Sequence, residues 1–364
     1  MVSTAGDRLY GIQNSNRAGS DLWGKNQFNS TFPAALCCYM KDKNLDAVLL
    51  SVDNAKVKSS VLPISKLFNS TRSCANLYFS FESRFDSYKS VINDTSLERV
   101  DLVVSEAEKN EDGAIIQGKQ LRPLEVKLTV VPDNSTAEDD ESNWAPEIVI
   151  RPATTKYCAM GMALNCSDKR KEIRKIFESK LSSVSGWGNQ TEARTILPTA
   201  IKCLEEFESK FSSREVPLVM QPIWKTQGKS PLLAEHAFDI FVWTDFALAR
   251  LIIDQAKKSV GRPKVSRPAR SALRLARFLY EYGRAGKAPI ANIYDEMTYG
   301  YQSDKDFAVS GKVTATYMKH KRRHSPKLHR STATKVILGG GAKRLSPERR
   351  FDQSIYFSYG YEAE

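Results

Sequence analysis

The chain has 364 residues, of which 41% are hydrophobic and 26% charged, and a formal net charge of +12. That length can bury a large core in one elaborate domain or two, and no apolar run approaches the roughly 18 residues that a membrane span needs. The charge is segregated: residues 257–350 carry 23 Lys and Arg against 6 Asp and Glu, or +17, so the rest of the chain carries −5, as expected of a polyanion binder.

The polar start MVSTAGDRLYGIQNSN lacks the apolar stretch of a signal peptide. Cys37, Cys38, Cys74, Cys158, Cys166 and Cys203 form no C-x-x-C pair. They read as reduced thiols of a cytoplasmic protein, not as a zinc site or a disulfide framework.

Polar and turn-forming residues dominate up to Asn29. Phe32, Leu36, Tyr39 and Met40 then recur at helical spacing, with Asn29 or Ser30 as N-cap and Pro33 in the first turn. LDAVLLSVD, ANLYFSFES and VDLVVSEAE read as strands. RPLEVKLTVVPD, residues 122–133, is a further strand, NSTAEDDESNW an acidic loop, and EIVIRP another strand.

From Asp168 the period changes. Ile173, Ile176, Phe177 and Leu181 fall on one helical face, and Ile201, Leu204, Phe207 and Phe211 on another. AFDIFVWTDFALARLIIDQAKK reads as a buried strand leading into a helix capped by Thr244. GRPKVSRPARSALRLARFLYEYGRAG is a Pro-rich turn and a helix ending near Gly283. Strands gather in the first half and helices in the second. The pattern predicts a mixed α/β (α+β) chain, divided as 1–165 and 166–364 or running as one continuous domain.

Successive strand side chains alternate between faces, so in RPLEVKLTVV the pair Glu125 and Lys127 shares one face while Leu124, Val126, Leu128 and Val130 take the other. Glu178-Ser179-Lys180 and Glu208-Ser209-Lys210 repeat the E-x-K spacing in helical patterns, where residues i and i+2 point apart. A solvated ion pair would explain the strand pair equally simply. A magnesium-dependent phosphodiesterase needs at least one more carboxylate, since the ion prefers oxygen ligands and keeps several waters. Asp112 lies thirteen residues before Glu125, across a turn at Gly118, and is the first choice. Asp101 in RVDLVVSE is the alternative. Asp112, Glu125 and the Val126 carbonyl would then hold the metal, with Lys127 orienting the attacking water and offsetting charge on the phosphate.

Asp112 with Glu125-x-Lys127 resembles the site of the PD-(D/E)xK nucleases, although Gly113 follows Asp112 and no proline precedes it. More specifically, YGIQNSNRAGSDLWGKNQFNSTFPAALCCYM, LRPLEVKLTVVPD, FDIFVWTDFAL, DKDFAVSG and LSPERRFDQSIYF resemble the HindVP/HgiDI family of type II restriction endonucleases. The resemblance implies a restriction-endonuclease-like core, a central mixed sheet flanked by helices, with a helix-rich basic C-terminal part. It further implies Mg2+-dependent hydrolysis of double-stranded DNA at a palindrome of the type GRCGYC, and a cognate DNA methyltransferase in the same system. Nucleases of this superfamily often add a residue from the first helix, which here points to Gln27 or Asn26, with Lys25 on phosphate. A polar turn capping the following helix fits those residues as well.

Arg270, Arg274 and Arg277 fall at i, i+4 and i+7 and read as a basic stripe for a phosphate backbone, or else as a solvated helix face. Arg322 and Arg323, in KHKRRHSPKLHR, read as part of a DNA-contacting loop. Lys225 and Gln227, in QPIWKTQGKS, are candidates for reading base edges from a loop. A palindromic target favours a two-fold homodimer.

Overall fold

The computed structural model describes residues 13–14, 46–53, 56–63, 68–73, 76–128, 148–212, 218–227, 230–243, 245–300 and 307–309; for several strand residues, 125–128 among them, it gives the backbone placement alone. Ten strands and six α-helices lie within these residues. The strands are β1 (Gln13–Asn14), β2 (Asp46–Asp53), β3 (Lys56–Pro63), β4 (Leu77–Ser83), β5 (Val100–Lys109), β6 (Ile115–Leu128), β7 (Ile148–Ile150), β8 (Leu218–Gln227), β9 (Ser230–Trp243) and β10 (Phe307–Val309). The helices are α1 (Pro152–Asn165), α2 (Arg170–Leu181), α3 (Gln190–Phe211), α4 (Asp245–Lys257), α5 (Arg267–Ala285) and α6 (Ile290–Glu296).

Eight strands form one sheet in the order β1-β4-β5-β6-β9-β8-β2-β3, and β10 pairs with β7 in a second. The β1–β4 pair is parallel and the others are antiparallel. The architecture is therefore α+β. Strands are not confined to the first half, because β8 and β9 form a hairpin from the second half and β9 joins the sheet beside β6.

Local chemistry explains the helices. Ile173, Ile176, Phe177 and Leu181 are the buried face of α2, and Ile201, Leu204, Phe207 and Phe211 belong to that of α3. The Asn189 side chain caps α3 by accepting from the amides of Thr191 and Glu192. Ser266 caps α5, whose first turn holds Pro268, and Gly286 ends it at φ 81°, a left-handed conformation that costs glycine least. Gly283 lies inside α5. A Cβ there would come 2.9 Å from the Arg174 backbone, so this glycine lets α2 and α5 approach closely instead of ending the helix. Helix α5 packs against α1, α2, α3, α4 and α6. The helical layer meets the sheet where Val100 and Val103 of β5 join the same buried cluster as Phe85, Tyr157 and Phe177.

Candidate active site

β5 and β6 form a long hairpin whose pairing runs from Lys109↔Ile115 at the turn to Leu102↔Leu124 at the open end. Leu102 and Leu124 are buried. One step further in the same register, Asp101 of β5 stands opposite Glu125 of β6. On the other side of β5, the Phe81↔Leu102 and Ser83↔Val100 pairs bracket Glu82 opposite Asp101. Three acidic positions thus run in a row across β4, β5 and β6. Glu82 has φ 43°, a left-handed conformation that is unusual for a residue with a Cβ.

Beyond Leu124, β6 is flanked by β9: Glu125 pairs with Trp243, Val126 with Val242 and Lys127 with Phe241. The row of acids therefore sits where β5 begins and β9 ends, at a change of partner along β6.

Helix α1 fixes the approach to Asp101. Lys156 forms an ion pair with Glu98, and the Tyr157 hydroxyl donates to the carbonyl of Arg99. Lys156 also lies 5.1 Å from the centre of the Tyr294 ring, and the Tyr294 hydroxyl is hydrogen-bonded to Thr155. Beside the opposite flank, β9 gives way to α4 at Asp245. Asn165 donates to Asp245 Oδ2 at 3.4 Å and Cys158 Sγ donates to the Asp245 carbonyl at 3.1 Å. Asp245, Tyr157, Gly161, Val100 and Leu124 border a cavity of about 110 Å³. Gly161 makes room for the carboxylate, since a Cβ there would lie 1.9 Å from Asp245 Oδ2.

Asp112 is elsewhere. It is exposed in the tight turn that closes the hairpin, where Gly113 takes φ 75° and Asn110 accepts from the amides of Gly113 and Ala114. Ten strand steps separate Ile115 from Glu125, roughly 30 Å at about 3.3 Å per residue. The structure brings Asp101 to Glu125 and does not bring Asp112 there. The thirteen-residue spacing misleads because Gly118 lies within β6 and is not its turn.

The two other E-x-K triplets are helical and paired for structure. Glu178 bonds Arg174, Lys180 pairs with Glu206, Glu208 with Arg250 and Lys210 with Glu172. Arg270 and Arg274 are only 3% and 6% exposed, which corrects the stripe expected of them. Arg270 donates to the Val265 carbonyl at 3.2 Å, and Arg274 to that of Met297 at 2.9 Å while lying 4.6 Å over the Tyr294 ring. Arg277 pairs with Glu296 at 2.7 Å. These guanidiniums bind helices together instead of meeting a phosphate backbone. Lys225 and Gln227 belong to a β-hairpin, opposite Leu232 and Ser230, and not to an irregular loop. Lys25, Asn26, Gln27, Arg322 and Arg323 lie outside the described residues.

Glu82 had no signal in the sequence as a site residue, because nothing in ANLYFSFES fixes its register against Asp101.

The model of the HindVP restriction endonuclease family matches residues 23–360. The chain belongs to the HindVP restriction endonuclease family. Type II restriction enzyme HgiDI of Herpetosiphon aurantiacus is 31% identical over 354 residues, covering 97% of this chain and 96% of the relative. Probable type II restriction enzyme HindVP of Haemophilus influenzae is 32% identical over 359 residues, covering 96% and 93%. No solved structure matches the chain. Membership of the HindVP family therefore rests on likeness along nearly the whole length, and not on the E-x-K triplet alone.

Proposed function

We propose that this member of the HindVP restriction endonuclease family is a type II site-specific deoxyribonuclease that hydrolyses double-stranded DNA with Mg2+, using Asp101, Glu125 and Lys127. The observation that carries the assignment is the register: Asp101 and Glu125 occupy facing positions at the end of the β5–β6 pairing, with Glu82 opposite Asp101 on the next strand. Facing positions on adjacent strands place Cβ atoms about 5 Å apart, a span that one cation with carboxylate ligands can bridge. The donors are hard oxygens, which is the ligand chemistry magnesium takes.

When bound, Mg2+ would activate water and offset charge on the phosphoryl oxygens. The chain's own part is to hold two carboxylates in register, with the segment leading into Asp101 anchored at Glu98 and Arg99 by Lys156 and Tyr157. Lys127, two residues past Glu125, orients the attacking water and offsets negative charge on the pentavalent phosphate. The Val126 carbonyl would supply a further oxygen to the bound ion. Glu82 adds a third carboxylate to the row. The surrounding sheet and helices serve as a restriction-endonuclease-like core. The protein acts in the cytoplasm on a short palindrome, GRCGYC being the site that the family likeness suggests, as a homodimer beside a cognate DNA methyltransferase.

Plasmid DNA incubated with Mg2+ and either the parent protein or Lys127→Ala tests this. Discrete fragments from the parent alone, with ends mapping to one palindrome, are expected. Intact plasmid in both reactions would overturn the catalytic assignment, and a smear from the parent would overturn site specificity.

A further inference from the structure

While the α5 arginines turn inward, a run of exposed cations lies at the start of that helix and just before it. Lys258, Arg262 and Lys264 are exposed on the connection between α4 and α5 and Arg267 at the first position of α5, and residues 257–267 contain no Asp or Glu. None of these four pairs with a carboxylate among the described residues, unlike Lys257, which pairs with Glu205 at 2.5 Å. A cleft of about 340 Å³ opens here, between this connection and the start of α3. Arg194, Arg262 and Lys264 line it together with the hydroxyl-bearing Thr191 and Thr195, and no carboxylate borders it.

The connection is also held in shape. Arg194 Nη1 donates to the Pro263 carbonyl at 2.9 Å and the buried Arg270 to that of Val265 at 3.2 Å. Ser259 and Ser266 are joined by a hydroxyl hydrogen bond. The Val260 amide bonds Lys257 and that of Arg262 bonds Ser259, each at 3.2 Å, while Gly261 at φ 78° makes the turn. A merely solvated basic loop needs no such fastening. Fixing unpaired cations in place lowers the ordering cost of meeting an anionic partner.

We propose that this connection is a phosphate-backbone clamp for duplex DNA, separate from the acidic row at the catalytic hairpin. The choice of DNA rests on the function proposed above. Helix α4 runs from Asp245, beside the cavity near that hairpin, to Lys257 at the clamp, and thirteen helical residues span about 20 Å. A separation of that order is less than one helical turn of a duplex, so one DNA molecule is long enough to reach both. Contacts to phosphate give affinity and salt dependence without choosing a sequence.

The test is fluorescence anisotropy of a 30-base-pair duplex in EDTA, with potassium chloride varied from 50 to 200 mM. The proteins compared are the parent, Arg262→Ala/Lys264→Ala, the charge-keeping Arg262→Lys/Lys264→Arg, and Lys171→Ala/Lys175→Ala on exposed positions of α2. Each lost phosphate contact lowers the magnitude of the negative slope of log affinity against log salt by about 0.9, so losing two lowers that magnitude by about 1.8. The expected result is that lower slope for the first variant alone, with equal effect on duplexes of different sequence and an unchanged melting temperature. Parental slope and affinity in that variant would overturn the clamp. An equal loss in the α2 variant would overturn it too, by showing a diffuse charge effect. A parent that does not bind duplex DNA at all would instead overturn the functional assignment on which the clamp rests.

Discussion

Glu82 holds a backbone conformation that costs a side-chain-bearing residue about 1–2 kcal/mol, and it does so opposite Asp101. Strain of this kind persists where the surroundings enforce it, often at functional sites. Glu82→Gly should therefore keep or raise the urea midpoint while lowering the rate of plasmid cleavage. A variant that is both more stable and fully active would remove Glu82 from the site. The two candidate first ligands separate more sharply. Asp101→Asn should slow single-turnover cleavage on the order of 100-fold or more, and Asp112→Asn, in the exposed turn, should cleave like the parent. That Glu125-x-Lys127 lies in a strand was legible, because strand alternation needs only local sequence. Which acid faces Glu125 across the hairpin was not, since that depends on the hairpin's length, and no residue in EDGAIIQGKQLRPLEVK announces that β6 runs through Gly118.

Helices with one polar face were readable, and a helix buried all round was not. Helices α2 and α3 were anticipated because their apolar residues recur at helical spacing. Helix α1 was not, since Tyr157, Cys158, Ala159, Met160, Gly161, Met162 and Ala163 are buried in succession, which leaves no periodic contrast. Helix α5 shows the converse error. Its arginines obey the spacing of a solvent face, yet Arg270 and Arg274 are buried because carbonyls at Val265 and Met297 and the Tyr294 ring receive them. Arg274→Ala should cost about 2 kcal/mol or more by stranding the Met297 carbonyl, read as a lower urea midpoint. Its salt slope for DNA binding should match the parent's, which a backbone-contacting arginine could not do. At the α2–α5 crossing, Gly283→Ala pushes a methyl group into the Arg174 backbone and should cost about 1–3 kcal/mol, as overpacking does.

For the molecule as a whole, the described titratable groups bracket a range of maximal stability. On the acid side, hydrogen bonds from Lys210 and then Lys169 hold the Glu172 carboxyl below its usual range, and one from Arg174 does the same for Glu178. Both groups stabilise the fold when ionised, so their contribution is present above the unfolded value near 4.5 and fades as pH falls through the lower folded values. On the alkaline side, burial raises the Cys203 thiol from 9.0 to about 11, and it raises Tyr78, Tyr282 and Tyr299 above the ordinary tyrosine value of 10.0. Between pH 9 and 11 the unfolded chain has released the Cys203 proton while the folded chain retains it. The unfolded state then binds fewer protons, and stability must fall as pH rises. Melting temperatures in dilute buffer should hold a plateau from about pH 5 to pH 9 and decline on both sides. Cys203→Ala would lower the whole curve by leaving a small cavity in the helical core, but its alkaline limb should be shallower than the parent's. An identical alkaline slope in the two proteins would mean that the thiol does not set that limb, and that the buried tyrosines do.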